Sequence, residues 1–433
     1  MMKKFKLQII LGVALVAFVA MSSCNGDMYD NINKLVDSET VYPAGYVQTK
    51  VKLRAGLERV EIDLLSSRDP DSLYLPRAVK TVVEYADTVV EFEPARSFVN
   101  IEGLKIAQVY HFKIYTKDKF GNVSTPVTAE GKPITQEDID LLMIDGLSYT
   151  ANTTQAAIVW KAFPNVYTVT DVTYSYTDGS GPHSTTASGS RNIVVLSGLS
   201  ASQTLSVDIS FKVLPKDAIE EISLTGYNLS ITTMNTADLN AYLTLTTPFP
   251  ATADGKIGNP YYVRSSEPFV LSAGAYDFGG PGKALLRAQG SNNDGNIYRN
   301  AGGETGGPYN NGYGGIDYNA RTAAGTPGLV GVGWMGERDW WAYTVEVVDA
   351  GIYKLEYNRA KDGEGAFAVL TCDNMDILGR IPITNNRNWS LFQWVDPQVE
   401  LPLDAGLHKF KWTAAVSNHN FGGLRLTFVR PFP

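Results

Sequence analysis

Tyr110-His111-Phe112-Lys113-Ile114-Tyr115 alternates apolar and polar side chains without a break. A period of two marks a half-buried strand, because successive side chains leave opposite faces of the pleat. The same alternation runs upstream through Val51-Lys52-Leu53, Val60-Glu61-Ile62-Asp63-Leu64 and Val89-Val90-Glu91-Phe92, and Gly121-Asn122 supplies a turn downstream. Residues 46–130 are therefore expected to form a small antiparallel β-sandwich.

The layout then repeats. Ile101-Glu102-Gly103-Leu104 precedes the strand at Tyr110, and Leu196-Ser197-Gly198-Leu199 precedes one at Leu205, Val207 and Ile209; glycines and strand starts both stand 95 residues apart. A second sandwich over 147–235 follows from that offset. Between the two, Thr135-Gln136-Glu137-Asp138 reads as a capping box that opens a short helix through Met143, so 131–146 is expected to be a helical linker. From about Thr236 charge thins and glycine, asparagine and aromatics rise, most densely over 279–328, where Tyr298, Tyr309, Tyr313 and Ile316 recur at intervals that suggest ordered loops. Strands are expected at Trp340 to Val348, Ile352 to Arg359, Phe367 to Thr371, Leu391 to Val395, Leu407 to Ala414 and Leu424 to Val429, a count and spacing that suit a jelly roll over 236–433.

At the other end, the cationic Met1-Met2-Lys3-Lys4-Phe5-Lys6 leads into the apolar run Ile9 to Met21, which falls short of the roughly 20 residues a spanning helix needs. Met21-Ser22-Ser23-Cys24 closes it with small residues before a cysteine, and looks like the lipobox of a lipoprotein signal peptide. Residues 1–23 are then a leader, Cys24 is the lipidated first residue of the mature chain, and 24–45 is its linker. Several acyl chains on Cys24 give stable anchoring where one chain binds only marginally. The early Asp27 and Asp30 resemble export signals of Bacteroidetes surface lipoproteins, so the expected address is the outer membrane, with the cell surface favoured over the periplasmic face.

The 433 residues and formal charge of −8 allow about three domains and argue against nucleic acid, which wants a basic face. With Cys24 given to lipid, Cys372 has no partner and no disulfide framework exists. Many turns and flat aromatic faces, with 40 Gly, 23 Tyr and 7 Trp, suit a β protein that binds by stacking. His111, His183, His408 and His419 show no metal-ligand spacing, and no nucleophile elbow or phosphate loop stands in a strand-to-helix context.

Both N-terminal segments resemble fibronectin type III domains. Gly103-Leu104, Tyr110 and Phe120-Gly121-Asn122-Val123-Ser124-Thr125-Pro126 carry the likeness in the first; Trp160, in place of the early core tryptophan, carries it in the second, where Leu205 replaces the core tyrosine. With Tyr42-Pro43-Ala44-Gly45, the first also looks like the domain of unknown function 4998 of Bacteroidetes lipoproteins. Such domains are usually spacers.

Farther on, Gly333-Trp334-Met335-Gly336-Glu337-Arg338-Asp339-Trp340-Trp341-Ala342-Tyr343-Thr344-Val345-Glu346-Val347, Ala350-Gly351-Ile352-Tyr353 and Arg359-Ala360 are similar to the core of family 6 carbohydrate-binding modules. Tyr276-Asp277-Phe278-Gly279-Gly280-Pro281-Gly282, Tyr298-Arg299, Gly315-Ile316-Asp317, Asn388-Trp389-Ser390-Leu391-Phe392 and Leu403-Asp404-Ala405-Gly406-Leu407-His408 extend the likeness over roughly 265–433. The resemblances imply an all-β chain: two tandem fibronectin III/immunoglobulin-like β-sandwiches, then a β-jelly roll of the galactose-binding-like kind. They further imply a sugar ring held between two loop aromatics, Trp334 and Trp389, its C–H face on their π faces. The family's late asparagine is Leu424 here, so Asn418 and Asn420 in the preceding loop are expected to supply the amide, with His419 between them. Trp340, Tyr343, Tyr353 and Phe428 are expected in the core. Ser272 and Gly274 replace the family's calcium-binding glutamates, which leaves only Asp277 and the late loops to suggest a structural calcium; no cofactor is expected.

The function implied is a non-catalytic surface lipoprotein that binds polysaccharide or oligosaccharide, similar to the accessory glycan-binding proteins of starch-utilisation-type systems, which work beside an outer-membrane transporter complex and its enzymes. The rival reading is an adhesin or structural lipoprotein whose jelly roll binds a protein, favoured by Leu424. A third, catalysis by the neighbouring carboxylates Glu337 and Asp339, is set against the turn those residues form in the resembling family.

Overall fold

The computed structural model describes residues 42–64, 77–163, 165–248, 261–277, 279, 282–286, 317–319, 331–416 and 419–432, so Cys24 and Asn418 lie outside the described residues. The chain is all-β, and it divides into two compact units. One takes residues up to Leu142 with Asp217–Glu220; the other takes Met143–Lys216 and Glu221–Pro433.

The first unit holds β1 (Lys52–Gly56), β2 (Arg59–Asp63), β3 (Lys80–Tyr85), β4 (Thr88–Phe92), β5 (Phe98–Glu102), β6 (Tyr110–Lys117) and β7 (Val127–Gly131). They pair antiparallel as two sheets, β1-β2-β5 and β4-β3-β6-β7, facing each other as a sandwich. In β6 the alternation read from sequence is the burial pattern: Tyr110, Phe112, Ile114 and Thr116 are buried, and the three apolar ones share a core with Val60, Ile62, Val83, Val99 and Ile101. Helix α1 (Gln136–Leu141) follows, two residues shorter than expected. Thr135 and Asp138 form the capping box, each side chain bonding the other's backbone N–H.

In the second unit β8 (Ser148–Ala151), β9 (Gln155–Val159), β10 (Tyr167–Asp178), β11 (Gly181–Ser188), β12 (Ile193–Ser197), β13 (Thr204–Pro215) and β14 (Ile222–Thr232) build sheets β12-β9-β8 and β11-β10-β13-β14. The three-plus-four plan of the first sandwich recurs, with Leu205, Val207, Ile209, Phe211 and Val213 of β13 inward and Trp160 edge-on to Phe211 at 5.2 Å. Helix α2 (Thr236–Leu243), capped by Asn235, leads into the jelly roll; sequence patterning gave no warning of it. It is pinned from below, where the Lys409 ammonium donates to Tyr242 O at 2.6 Å and lies 5.2 Å from that ring's centroid.

The jelly roll comprises β15 (Tyr261–Val263), β16 (Phe269–Ser272), β17 (Leu285–Leu286), β18 (Asp317–Asn319), β19 (Gly331–Met335), β20 (Trp340–Val347), β21 (Gly351–Lys361), β22 (Ala366–Cys372), β23 (Met375–Asp376), β24 (Ile381–Ile383), β25 (Asn388–Leu403), β26 (Gly406–Val416) and β27 (His419–Arg430). One sheet runs β15-β20-β26-β22-β23, with β17 on β20 and β24 on β22; the other runs β18-β19-β27-β21-β25, with β16 on β27. Their facing sides bury Trp341, Tyr343, Val345, Tyr353, Leu355, Tyr357, Phe410, Trp412, Phe421 and Leu424 in one core.

Two expectations change here. Of the paired tryptophans it is Trp341 that enters the core; Trp340 leaves the opposite face of β20, half-buried, with the Lys411 ammonium 5.5 Å from its ring centroid, because period two admits only one of two neighbours. The final strand begins at His419 rather than Leu424, so Asn420 belongs to a strand and Leu424 sits mid-strand at 1 % exposure.

The second sandwich and the jelly roll are joined inside the second unit. Ala157 and Ile193 belong to the same core cluster as Met375, Ile377 and Leu378. Asp376 N donates to Thr150 Oγ1 at 2.7 Å, and Gly379, at φ 70°, brings its Cα against the Arg191 carbonyl where a Cβ would stand 2.6 Å from that oxygen.

Candidate functional site

Sheet register gathers the backbones of Trp334, Trp389 and Asn420 at one end of the jelly roll. Met335 faces His419 across β19 and β27, Ala360 faces Asn420 across β27 and β21, and Lys361 faces Asn388 across β21 and β25. Trp334 and Trp389 are the chain neighbours of Met335 and Asn388, so their backbones belong to this row. Both lie in strands rather than loops: Trp334 within β19, its side chain outside the described part, and Trp389 second in β25.

Trp389 is 40 % exposed, unusual for a tryptophan in a strand and suited to contact with a ligand. Its backbone is fixed from β27, where Asn420 Nδ2 donates to Trp389 O at 2.7 Å. Asn420 is 3 % exposed, so in this structure its amide positions the tryptophan strand. Asn386 braces the same segment, accepting from Lys361 N at 2.8 Å through Oδ1 and donating to Leu391 O at 2.5 Å through Nδ2.

Beneath that rim sits a polar layer absent from the expected site. Lys361 is 3 % exposed, and its ammonium lies 5.0 Å from the Trp389 ring centroid. Arg359, 6 % exposed, donates through Nη2 to Thr384 Oγ1 at 2.6 Å and through Nη1 to Gln393 Oε1 at 3.3 Å, while its Nε has no partner among the described residues. Burial lowers both pKa values. Next to them His419 is fully buried; its Nε2 accepts from Trp412 Nε1 at 2.9 Å, which leaves the ring proton on Nδ1, itself without a partner among the described residues. Burial first, then the Lys361 charge, push the His419 pKa down to about 3, so the ring is neutral. The Trp412 indole lies flat on Phe421 at 4.2 Å and forms the floor.

Alternation along β21 does not find these residues: Tyr353, Leu355 and Tyr357 join the core, but the register slips between Asn358 and Arg359 and again between Arg359 and Lys361, and every residue from Leu355 to Lys361 is buried.

Other candidate chemistry has structural employment. Asp339, 1 % exposed, accepts from Gly336 N at 2.9 Å and closes the turn into β20, while Glu337 is exposed in that turn, so the two carboxylates are not poised as an acid and base across a cleft. The Asp277 carboxylate accepts from Thr344 N at 2.8 Å and from the hydroxyls of Thr344 and Thr246, and the Lys409 ammonium bears on it by Coulomb attraction. Cys372, Asp373 and His408 cluster closely enough to hold a metal, yet His408 Nδ1 meets an Asp373 carboxylate oxygen at 2.6 Å and Nε2 the Asp404 carbonyl at 2.9 Å. Two pure acceptors require both nitrogens to donate. Burial opposes charge there, but Asp373 outweighs it and raises the imidazole pKa, while burial raises that of the Cys372 thiol. Both imidazole nitrogens and one Asp373 oxygen of this group are already engaged in hydrogen bonds. A cleft of about 490 Å³ between the second sandwich and the jelly roll, bordered by Arg191, Ile193, Met375 and Leu401, contains none of the expected site residues.

No protein-family model and no curated protein matches this chain. Among solved structures, it is similar to the C-terminal family 6 carbohydrate-binding module of LamC, a marine laminarinase from Zobellia galactanivorans, at 18% identity over 26% of this chain and 87% of that one, TM-score 0.23. A second likeness is to a module of Cellvibrio mixtus lichenase 5A in complex with cellotriose, at 23% identity over 27% of this chain and 88% of that one, TM-score 0.23. A third is to the first three fibronectin domains of chicken CNTN1, at 11% identity over 45% of this chain and 67% of that one, TM-score 0.29.

Proposed function

We propose that this chain is a non-catalytic glycan-binding lipoprotein of the cell surface, anchored through Cys24, whose jelly roll grips saccharide at the Trp334–Trp389 end and delivers polysaccharide to a neighbouring uptake system. The observation that carries the reading is the half-exposed Trp389, its carbonyl held by the buried Asn420 amide, in the same sheet row as Trp334. A pyranose offers a C–H face to such a ring and needs fixed polar groups around its rim. One small site on well-hydrated sugars binds weakly, and many anchored copies along one polymer restore avidity.

Affinity electrophoresis across a glycan panel, with the full chain and with Trp334→Ala and Trp389→Ala, tests the site. Retardation by at least one polysaccharide, abolished in either variant, is expected. The reading is sunk by a panel without any retardation, or by variants that bind as the parent does. The anchor has its own test: Cys24→Ala should move the chain from the membrane fraction to the soluble one. Leu424 no longer favours a protein-binding rival, because a residue 1 % exposed in the core says nothing about what the loops bind.

A further inference from the structure

Strand β21 carries three cations, and they divide along its length. Lys354 is half-exposed and paired, its ammonium 2.9 Å from Asp396. Neighbouring cations on this sheet are paired too, Arg425 with Glu356 at 2.6 Å and Arg430 with Glu400 at 2.6 Å. Arg359 and Lys361, at the end of β21 that meets Trp389, are the two that are buried, and among the described residues neither forms an ion pair. Arg359 has only the neutral Thr384 and Gln393 for partners, and the Lys361 ammonium only a π face. Asp362 and Glu364 bear on that ammonium through Coulomb attraction alone, from an exposed turn, and His419 opposite is neutral. Asn358 adds to the imbalance: fully buried on the same strand, it has no partner for either side-chain atom among the described residues.

Folded proteins pair the charges they bury, because removing an ion from water costs several kcal/mol unless an opposite charge or hydrogen bonds compensate. Two buried cations on one strand, neither with an ion-pair partner among the described residues and one of them against a half-exposed tryptophan, are positive charge that an anion from outside can meet, in a chain whose net charge is −8. Accepting the glycan-binding reading above, we infer that the saccharide is acidic: a sugar bearing a carboxylate or sulfate lies against Trp389, and its anionic group binds the Lys361 ammonium, with Arg359 reinforcing the potential. Trp389 then recognises that the ligand is a sugar, and Lys361 that it is an acid.

The test begins on the ligand side, where no variant is needed. The full chain is run through native gels containing polygalacturonate or its full methyl ester, and a sulfated galactan or its desulfated parent. Stronger retardation by an acidic polymer than by its uncharged counterpart, weakening as NaCl rises from about 0.05 to about 0.5 M, is the expected result. Retention by polygalacturonate alone assigns a uronate, and by the sulfated galactan alone a sulfate ester; both support the inference. Lys361→Met, similar in length and uncharged, should lose on the order of ten-fold in affinity for the acidic polymer and erase the preference for it over its uncharged counterpart, and a preference that persists in the variant overturns the role of Lys361. Equal binding of charged and uncharged forms overturns the inference, and if Trp389→Ala then abolishes that binding, the glycan-binding reading survives alone. Retardation by no polymer overturns both.

Discussion

His419 makes the stability of the jelly roll depend on acid in a way that can be worked out in advance. Its folded pKa is depressed from the ordinary 6.5 to about 3. Above pH 6.5 both folded and unfolded chains hold the ring neutral, so the group costs nothing. As pH falls below 6.5 the unfolded chain takes up a proton that the folded chain refuses, and each further pH unit removes about 1.4 kcal/mol until the folded pKa is reached. Between pH 7 and pH 5 the loss is about 2 kcal/mol. The substitution His419→Gln keeps an acceptor for Trp412 Nε1 but removes the titrating ring. Urea unfolding followed by tryptophan fluorescence at pH 7, 6 and 5 should therefore show the parent losing about 2 kcal/mol more than the variant over that range. Parallel curves would refute the reasoning, as would a histidine resonance assigned to His419 that titrates above pH 6.

Three further substitutions probe the packing that positions the site. Leu424→Asn, which restores the residue type of the resembling family, buries an amide in the core and should cost about 3 kcal/mol or more in denaturant unfolding without strengthening glycan binding. Gly422→Ala places a Cβ 2.5 Å from Asn358 Oδ1 and 2.9 Å from the Phe392 ring, so about 1–3 kcal/mol of overpacking strain should appear as a lowered melting temperature. Thr150→Val leaves the Asp376 N–H without its acceptor at 2.7 Å, and unfolding of the second unit should become easier by about 1–3 kcal/mol.

What sequence made legible was set by periodicity. The strand at Tyr110 reads itself, because one face is buried and the other wet, and the 95-residue echo extends the reading to the second sandwich. Strand β21 is legible for the same reason as far as Tyr357. Beyond it the register slips on both sides of Arg359, burial becomes continuous, and Arg359 and Lys361 are the wrong residue types for a core, so hydrophobicity stops reporting burial where the candidate site begins. Helix α2 was hidden because no residue in it is fully buried and Tyr242 anchors it to Lys409. Asn420 was illegible for a different reason: an amide that fixes a neighbouring strand and one that contacts a sugar look alike in sequence, and the bond to Trp389 O is visible only once the strands are paired.

The second sandwich was expected to be a spacer, and its contacts argue for more. A spacer buries its own core and leaves its neighbour's intact, yet Ala157 and Ile193 fill out the jelly-roll cluster, and Met375, Ile377 and Leu378 are each under 8 % exposed in it. Cutting the chain before Thr236 removes those partners. It also strips the Thr150 hydroxyl from Asp376 N and the Arg191 guanidinium from Ile377 O, at 2.7 and 3.4 Å. Freed apolar surface of that kind costs about 25 cal/mol per Å² and promotes association. A fragment of residues 236–433 should therefore melt well below one of residues 143–433 and elute from a sizing column as aggregates, while the longer fragment stays monodisperse. Equal melting temperatures would return the sandwich to the role of a spacer. If they differ as expected, the sandwich and the jelly roll unfold as one cooperative body, and a ligand pulling on Trp389 loads both together.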